Sequence, residues 1–169
     1  IEQNHAILAK HSFEHEIAYA LSNDIFGSID INRGDYLVGW DTDQFPNNVE
    51  ELVLPFYYIF KNGGFSSGGL NMDAKIRRQS IDPEDLFYAH IGSMDTCART
   101  LIAVEKMIND GGYENFLKQR YELWASEKQL MTSMSLEDIH KNVIAKNINP
   151  QPKSGRQEYL ENLINSFVD

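Results

Sequence analysis

Up to Gly111-Gly112 the hydrophobic positions come in short runs alternating with helical spacing; beyond that point only helical spacing remains. Phe13, Ile17, Ala20 and Leu21 predict a helix over 12–21, stopped by Asn23-Asp24. The apolar run 25–31 reads as a buried strand carrying Asp30 near its end. A polar loop follows, then a helix over 49–60 closed by Asn62-Gly63-Gly64, then a second short strand over 68–74 carrying Asp73. Phe56, Tyr57, Tyr58 and Phe60 are expected to pack that helix against a sheet. Asp82-Pro83-Glu84-Asp85 opens a long helix over 82–108, expected to be mostly buried, with Asp82 as N-cap and Pro83 in its first turn.

Three further helices are predicted over 113–127, 136–146 and 155–168. Ser135-Leu136-Glu137-Asp138 and Ser154-Gly155-Arg156-Gln157 have the form of capping boxes for the second and third, and Trp124 is a candidate anchor for this arm. The change of style divides the chain into 1–111 and 112–169. In the first part, strand and helix alternate, which implies parallel strands joined by helical crossovers. Ile1-Glu2 reads as the last step of a further strand, so the chain is expected to start in mid-fold.

With 169 residues, 42% hydrophobic and 24% charged, the composition is that of a folded globular chain rather than a disordered one. The net charge of −10 argues against a nucleic-acid grip and suits a protein that holds cations. Cys97 is the single cysteine, so no internal disulfide forms, and a reducing, cytoplasmic setting is the simplest expectation. No run approaches the roughly 20 apolar residues of a membrane span.

The candidate chemistry lies in acids placed where an unpaired charge is costly. Glu2, Asp30 and Asp73 stand in or beside apolar strand-like runs, with His5 three residues after Glu2. Trp40-Asp41-Thr42-Asp43 adds two acids to one side of an extended segment. Oxygen-rich ligands with a lone imidazole point to hard divalent cations. Acids at successive strand ends are where an (α/β) barrel builds its active site.

The segments Ile1-Glu2-Gln3-Asn4-His5-Ala6, Gly27-Ser28-Ile29-Asp30-Ile31-Asn32-Arg33-Gly34-Asp35, Gly39-Trp40-Asp41-Thr42-Asp43-Gln44-Phe45-Pro46 and Asn71-Met72-Asp73-Ala74-Lys75-Ile76-Arg77-Arg78 carry a more specific signal. With Asp85-Leu86-Phe87-Tyr88-Ala89-His90-Ile91 and Ser154-Gly155-Arg156-Gln157-Glu158, they resemble the xylose isomerases, most nearly the longer bacterial and fungal (class II) type. The resemblance implies the C-terminal part of a TIM (β/α)8 barrel, from the end of strand 6 to helix 8, followed by an all-helical arm that wraps a neighbouring subunit in a dimer or tetramer. It implies conversion of D-xylose to D-xylulose, and in some members D-glucose to D-fructose, by a hydride shift assisted by two Mg2+, Mn2+ or Co2+ ions, with no nucleotide cofactor.

Carried over by that resemblance, Glu2 bridges two ions, Asp30 and Asp73 serve the first, and His5, Asp41 and Asp43 serve the second, with Asp43 as a proton shuttle. Met72 stands where the family usually has an aromatic, and Lys10 where it has glycine. The family's ring-opening histidine and its fifth-strand glutamate and lysine would precede Ile1, so the missing N-terminal part of the barrel becomes an expected partner and the chain alone is expected to be inactive.

Other readings carry less of the pattern. A non-catalytic interaction module would use the helical tail and retain the acids as ancestry. His11-Ser12-Phe13-Glu14-His15 has the H-x-x-E-H form of some zinc peptidases, with both histidines expected on one helical face. Cys97 with His90 suggests a thiol nucleophile, against which a buried structural cysteine is the simpler expectation.

Overall fold

The computed structural model describes residues 1–168, the side chains of 125, 126 and 129–131 excepted. Its elements are α1 (Gln3–Leu8), α2 (Phe13–Ser22), β1 (Ile29–Asp30), α3 (Glu50–Lys61), β2 (Leu70–Asn71), α4 (Pro83–Asp110), α5 (Gly112–Ser133), α6 (Leu136–Ala145) and α7 (Gln157–Asn165). They form two compact units. One holds Ile1–Asn109 with the chain's last residues from Ile164, and the other is Asp110–Leu163.

The core of the first unit is the pairing of α2 with α3. Phe13, Ile17 and Ala20 recur at helical spacing and are buried, as are Leu52, Val53, Phe56, Tyr57 and Ile59 of α3. Phe60 is 44% exposed, so the aromatic run contributes mainly through its first two members, and α3 packs chiefly against α2 rather than a broad sheet. Glu14, Glu16, Glu50 and Glu51 fall in first turns, where the helix dipole favours negative charge. Asn62 ends α3 by donating to Tyr58 O at 2.7 Å, and Gly63 and Gly64 take φ values of 95° and 80° that side-chain-bearing residues rarely adopt.

Next to this helical pair lie three short parallel runs. β1 pairs with β2 in the register Ile29↔Leu70 and Asp30↔Asn71, and Glu2 bridges Asp30 on the other side. The strands are much shorter than the apolar runs predicted. Ile25 is 69% exposed and lies outside the ladder, while Phe26 stacks on Phe65 at 5.7 Å. Only Ile29 and Ile31 have the full burial that a strand interior rewards. Glu2 does sit at a strand-like step, but Gln3 onward turns into α1, a helix too short for periodicity to reveal.

α4 differs from expectation in burial. Its inner face is Ser93, Thr96, Thr100, Ala103, Val104 and Met107, whereas Phe87, Tyr88, Ile91 and Met94 are more than half exposed. Small polar residues can line this face because each hydroxyl is satisfied within the helix. Ser93 Oγ donates to Ala89 O at 2.7 Å, Thr96 Oγ1 to Gly92 O at 2.8 Å and Thr100 Oγ1 to Thr96 O at 2.8 Å. The helix start is confirmed by Asp85, whose carboxylate accepts from Asp82 N–H at 3.1 Å. Burial raises the Cys97 thiol above its ordinary value, which disfavours a nucleophilic thiolate, and His90 packs edge-on against Phe45 at 4.7 Å.

In the second unit, Ser135 Oγ caps α6 by accepting from Asp138 N–H at 3.1 Å. The expected second capping box does not form. Ser154 Oγ accepts from Arg156 N–H at 3.2 Å, and Arg156 at φ 50° turns the chain before α7 begins at Gln157. Arg156 instead lies 4.1 Å over the Tyr159 ring, which also meets Phe116, and Arg120 donates to Ser154 O at 2.7 Å. Trp124 is 53% exposed. No described helix of the chain is long and apolar enough to cross a membrane.

Candidate metal centre

The backbone brings four of the six predicted ligands to one place. Glu2 is fixed by its bridge to Asp30, and α1 carries His5 one helical turn later on the same side. His5 Nδ1 lies 2.9 Å from Glu2 Oε2, and Nε2 lies 3.6 Å from Asp41 Oδ2. One ligand atom from each of Glu2, His5 and Asp41 falls within 4.8 Å of the other two. The loop bearing Asp41 and Asp43 is clamped on both sides, since Gln44 exchanges backbone hydrogen bonds with Arg33 at 2.8 and 2.9 Å and Lys75 N–H donates to Asp43 O at 2.8 Å. Asp43 turns in the left-handed region at φ 40°, which short polar side chains tolerate best.

Two asparagines that sequence reasoning passed over organise these acids. Asn32 is fully buried; its amide donates to Glu2 Oε1 at 2.7 Å, Asp43 Oδ1 at 3.2 Å and Asp73 O at 2.8 Å, while its Oδ1 accepts from Asn4 N–H at 3.0 Å. Asn4, also fully buried, donates its amide to Asp41 Oδ1 and to Asp43 Oδ1, the latter at 3.3 Å. With its donor end committed to two carboxylates, Asn4 Oδ1 is left buried without a hydrogen-bond partner, facing Gly34. A Cβ at Gly34 would stand 2.0 Å from that oxygen. Neither asparagine carries a local sequence signal, since Asn4 lies in Glu2-Gln3-Asn4-His5 and Asn32 stands between Ile31 and Arg33.

Gly34→Ala is therefore expected to push Asn4 off both aspartates and to cost about 1–3 kcal/mol. Chemical denaturation of the variant beside the parent chain measures this, and an unchanged midpoint would show that Asn4 is not held there.

The Asp41 and Asp43 carboxyls, which share the Asn4 amide, titrate apart. Burial, then the hydrogen bond and charge of Asp43, push the Asp41 carboxyl up, while His5 and Lys75 pull it back. Burial works the same way on Asp43, but hydrogen bonds from Lys75, Asp41 and Asn4 outweigh it and hold that carboxyl below its ordinary value. The Lys75 ammonium lies 2.7 Å from Asp43 Oδ2, and Asp43 in turn raises the lysine. The Lys75 ammonium and the Asn4 and Asn32 amides thus face one carboxylate cluster, with the His5 ring beside it. The carboxylates and the imidazole fit a divalent cation.

The other two predicted ligands stand apart from the cluster. Asp30 shares the ladder with Glu2, but its Oδ1 accepts from Asn71 at 3.0 Å. Asp73 contributes its backbone carbonyl to Asn32. Among the described residues, neither carboxylate joins a group of three ligand-bearing side chains. A cleft of about 600 Å3, lined by Trp40, Asp41, Thr42, Lys75 and Arg77 among others, opens beside Asp41.

The peptidase pattern does not assemble as predicted. His11 precedes α2 rather than sharing a helical face with His15, and the acid grouped with them is Glu16, not Glu14.

Residues 117–168 match the family model described as the XylA2 C-terminal domain. Over 170 residues, 99% of this chain, the sequence is 59% identical to the xylose isomerases of Brucella canis and Brucella abortus, and it is 60% identical over 171 residues to that of Ruegeria sp. (strain TM1040). Over almost its whole length the chain is thus similar to xylose isomerases. It covers 39% of the length of each of these relatives and corresponds to their C-terminal part.

Proposed function

We propose that this chain forms the cation-holding end of an aldose–ketose isomerase that converts D-xylose to D-xylulose by a 1,2-hydride shift, with D-glucose as a second aldose. What supports this reading is the convergence of Glu2, His5 and Asp41 within 4.8 Å, with Asp43 tied to them through Asn4 and Asn32, in a chain similar to xylose isomerases. Glu2, His5, Asp41 and Asp43 would hold one divalent cation, Mg2+, Mn2+ or Co2+. Glu2 with Asp30 and Asp73 would serve a second. Bound cations supply Lewis acidity and a template for the sugar oxygens. Asn32 and Asn4 aim the carboxylates, and Asp43 is the acid that would shuttle protons.

Because the chain covers 39% of its relatives' length, the activity is assigned to the longer assembly, a TIM barrel whose helical arm engages a second subunit. The chain should be mixed with the N-terminal part of a xylose isomerase and D-xylulose formation from D-xylose followed with Mn2+ and with EDTA. Cation-dependent turnover from the mixture, absent from either piece alone, is the expected result. Stable association without turnover would favour the non-catalytic module.

A further inference from the structure

A second set of metal-ligating side chains lies outside the Glu2 cluster. One ligand atom from each of His11, His15 and Glu16 falls within 4.8 Å of the other two. His11 Nδ1 is in direct hydrogen-bonding contact with Glu16 Oε1, and the His11 and His15 rings meet edge-on with centroids 4.9 Å apart. Both histidines are held from behind. His11 N–H donates to Ala6 O at 2.9 Å, and Lys10 at φ 66° makes the turn that returns the chain toward α1. His15 stacks on Tyr19, one turn further along α2.

We infer that His11, His15 and Glu16 form a binding site for a borderline transition-metal cation of the zinc type, separate from the Glu2 cluster. Two imidazoles and one carboxylate are a zinc donor set with a fourth position left to water. This set selects against Mg2+, which demands an oxygen shell, whereas the Glu2 cluster is mostly oxygen. The dipole at the N-terminus of α2 opposes a cation there, and the Glu16 charge offsets it. An ion in this position ties the turn after α1 to the first turns of α2. Since α1 carries His5, the site would brace the element that leads into the first cluster. Glu14 stays outside the group, so no general base faces such an ion and hydrolysis is not expected.

Calorimetric titration of the 169-residue chain with Zn2+ tests this, using Glu2→Gln to disable the first cluster. The Glu2→Gln chain is expected to bind one zinc and to melt at higher temperature when it does. Adding His11→Ala and His15→Ala should weaken that binding by about 100-fold and abolish the thermal shift. Glu16→Gln, which keeps shape and fold, should weaken it by about tenfold. Zinc binding that is absent from the Glu2→Gln chain, or unchanged by the Glu16 and histidine substitutions, would overturn the assignment.

Discussion

Asn32→Leu is expected to be the most damaging single substitution in the first unit, costing about 3–5 kcal/mol of stability. The side chain is fully buried and makes four hydrogen bonds, to Glu2, Asp43, Asp73 O and Asn4 N–H. Leucine is similar in size, so packing changes little, but it leaves the half-buried Glu2 and Asp43 carboxylates and the Asn4 N–H short of partners. Each buried group so stranded costs roughly 1–3 kcal/mol, and charged ones more. Urea denaturation measures the loss, and a change below about 1 kcal/mol would mean that the carboxylates re-solvate freely. The same variant should bind Mn2+ about 10–100-fold more weakly, the usual consequence of removing a group that orients ligands.

The second large effect falls on chemistry. In the reconstituted assembly, Glu2→Gln and Asp43→Asn are each expected to lower D-xylulose formation by about 100-fold or more, because each removes a charged ligand rather than its support. Asp43→Asn also leaves the Lys75 ammonium without its 2.7 Å partner while keeping side-chain volume. The two variants should differ in stability. Glu2→Gln removes one negative charge from a crowded set and is expected to be nearly neutral, whereas Asp43→Asn should be slightly destabilising through the loss of an ion pair whose lysine is largely in solvent. Equal activity of both variants and the parent would remove Glu2 and Asp43 from the reaction.

The helices were legible because their signals are redundant. α2 and α3 announce themselves by apolar spacing, by acids in the first turn and by asparagine at the close, and the structure bounds them within about one residue of the pattern. The strands were legible only as apolar runs. Hydrogen-bond ladders are set by neighbours, and the sequence around Ile25 and Leu70 does not record that pairing stops after two residues. α4 was misjudged in burial because its apolar residues Phe87, Tyr88, Ile91 and Met94 face solvent, while Ser93, Thr96 and Thr100, their hydroxyls satisfied by the preceding turn, join Ala103, Val104 and Met107 on the inner face.

At the site, the residues that carry charge could be read directly, since an acid beside an isoleucine run needs a reason. The residues that orient them could not. Asn4 and Asn32 are neutral and unremarkable in any window, and Gly34 matters only because Asn4 Oδ1 occupies the space its side chain would fill. Such roles belong to contacts across about thirty residues of chain, which local spacing does not encode.

The central claim is that His5 and the carboxylates of Glu2, Asp41 and Asp43 share one bound cation. Pulsed electron paramagnetic resonance of Mn2+ bound to the chain tests it most directly, because a coordinated imidazole nitrogen leaves its own modulation in the signal. A single such nitrogen is predicted, lost in His5→Ala and retained when His11 and His15 are both alanine. A bound Mn2+ with no nitrogen, or one whose nitrogen survives His5→Ala, would contradict the account.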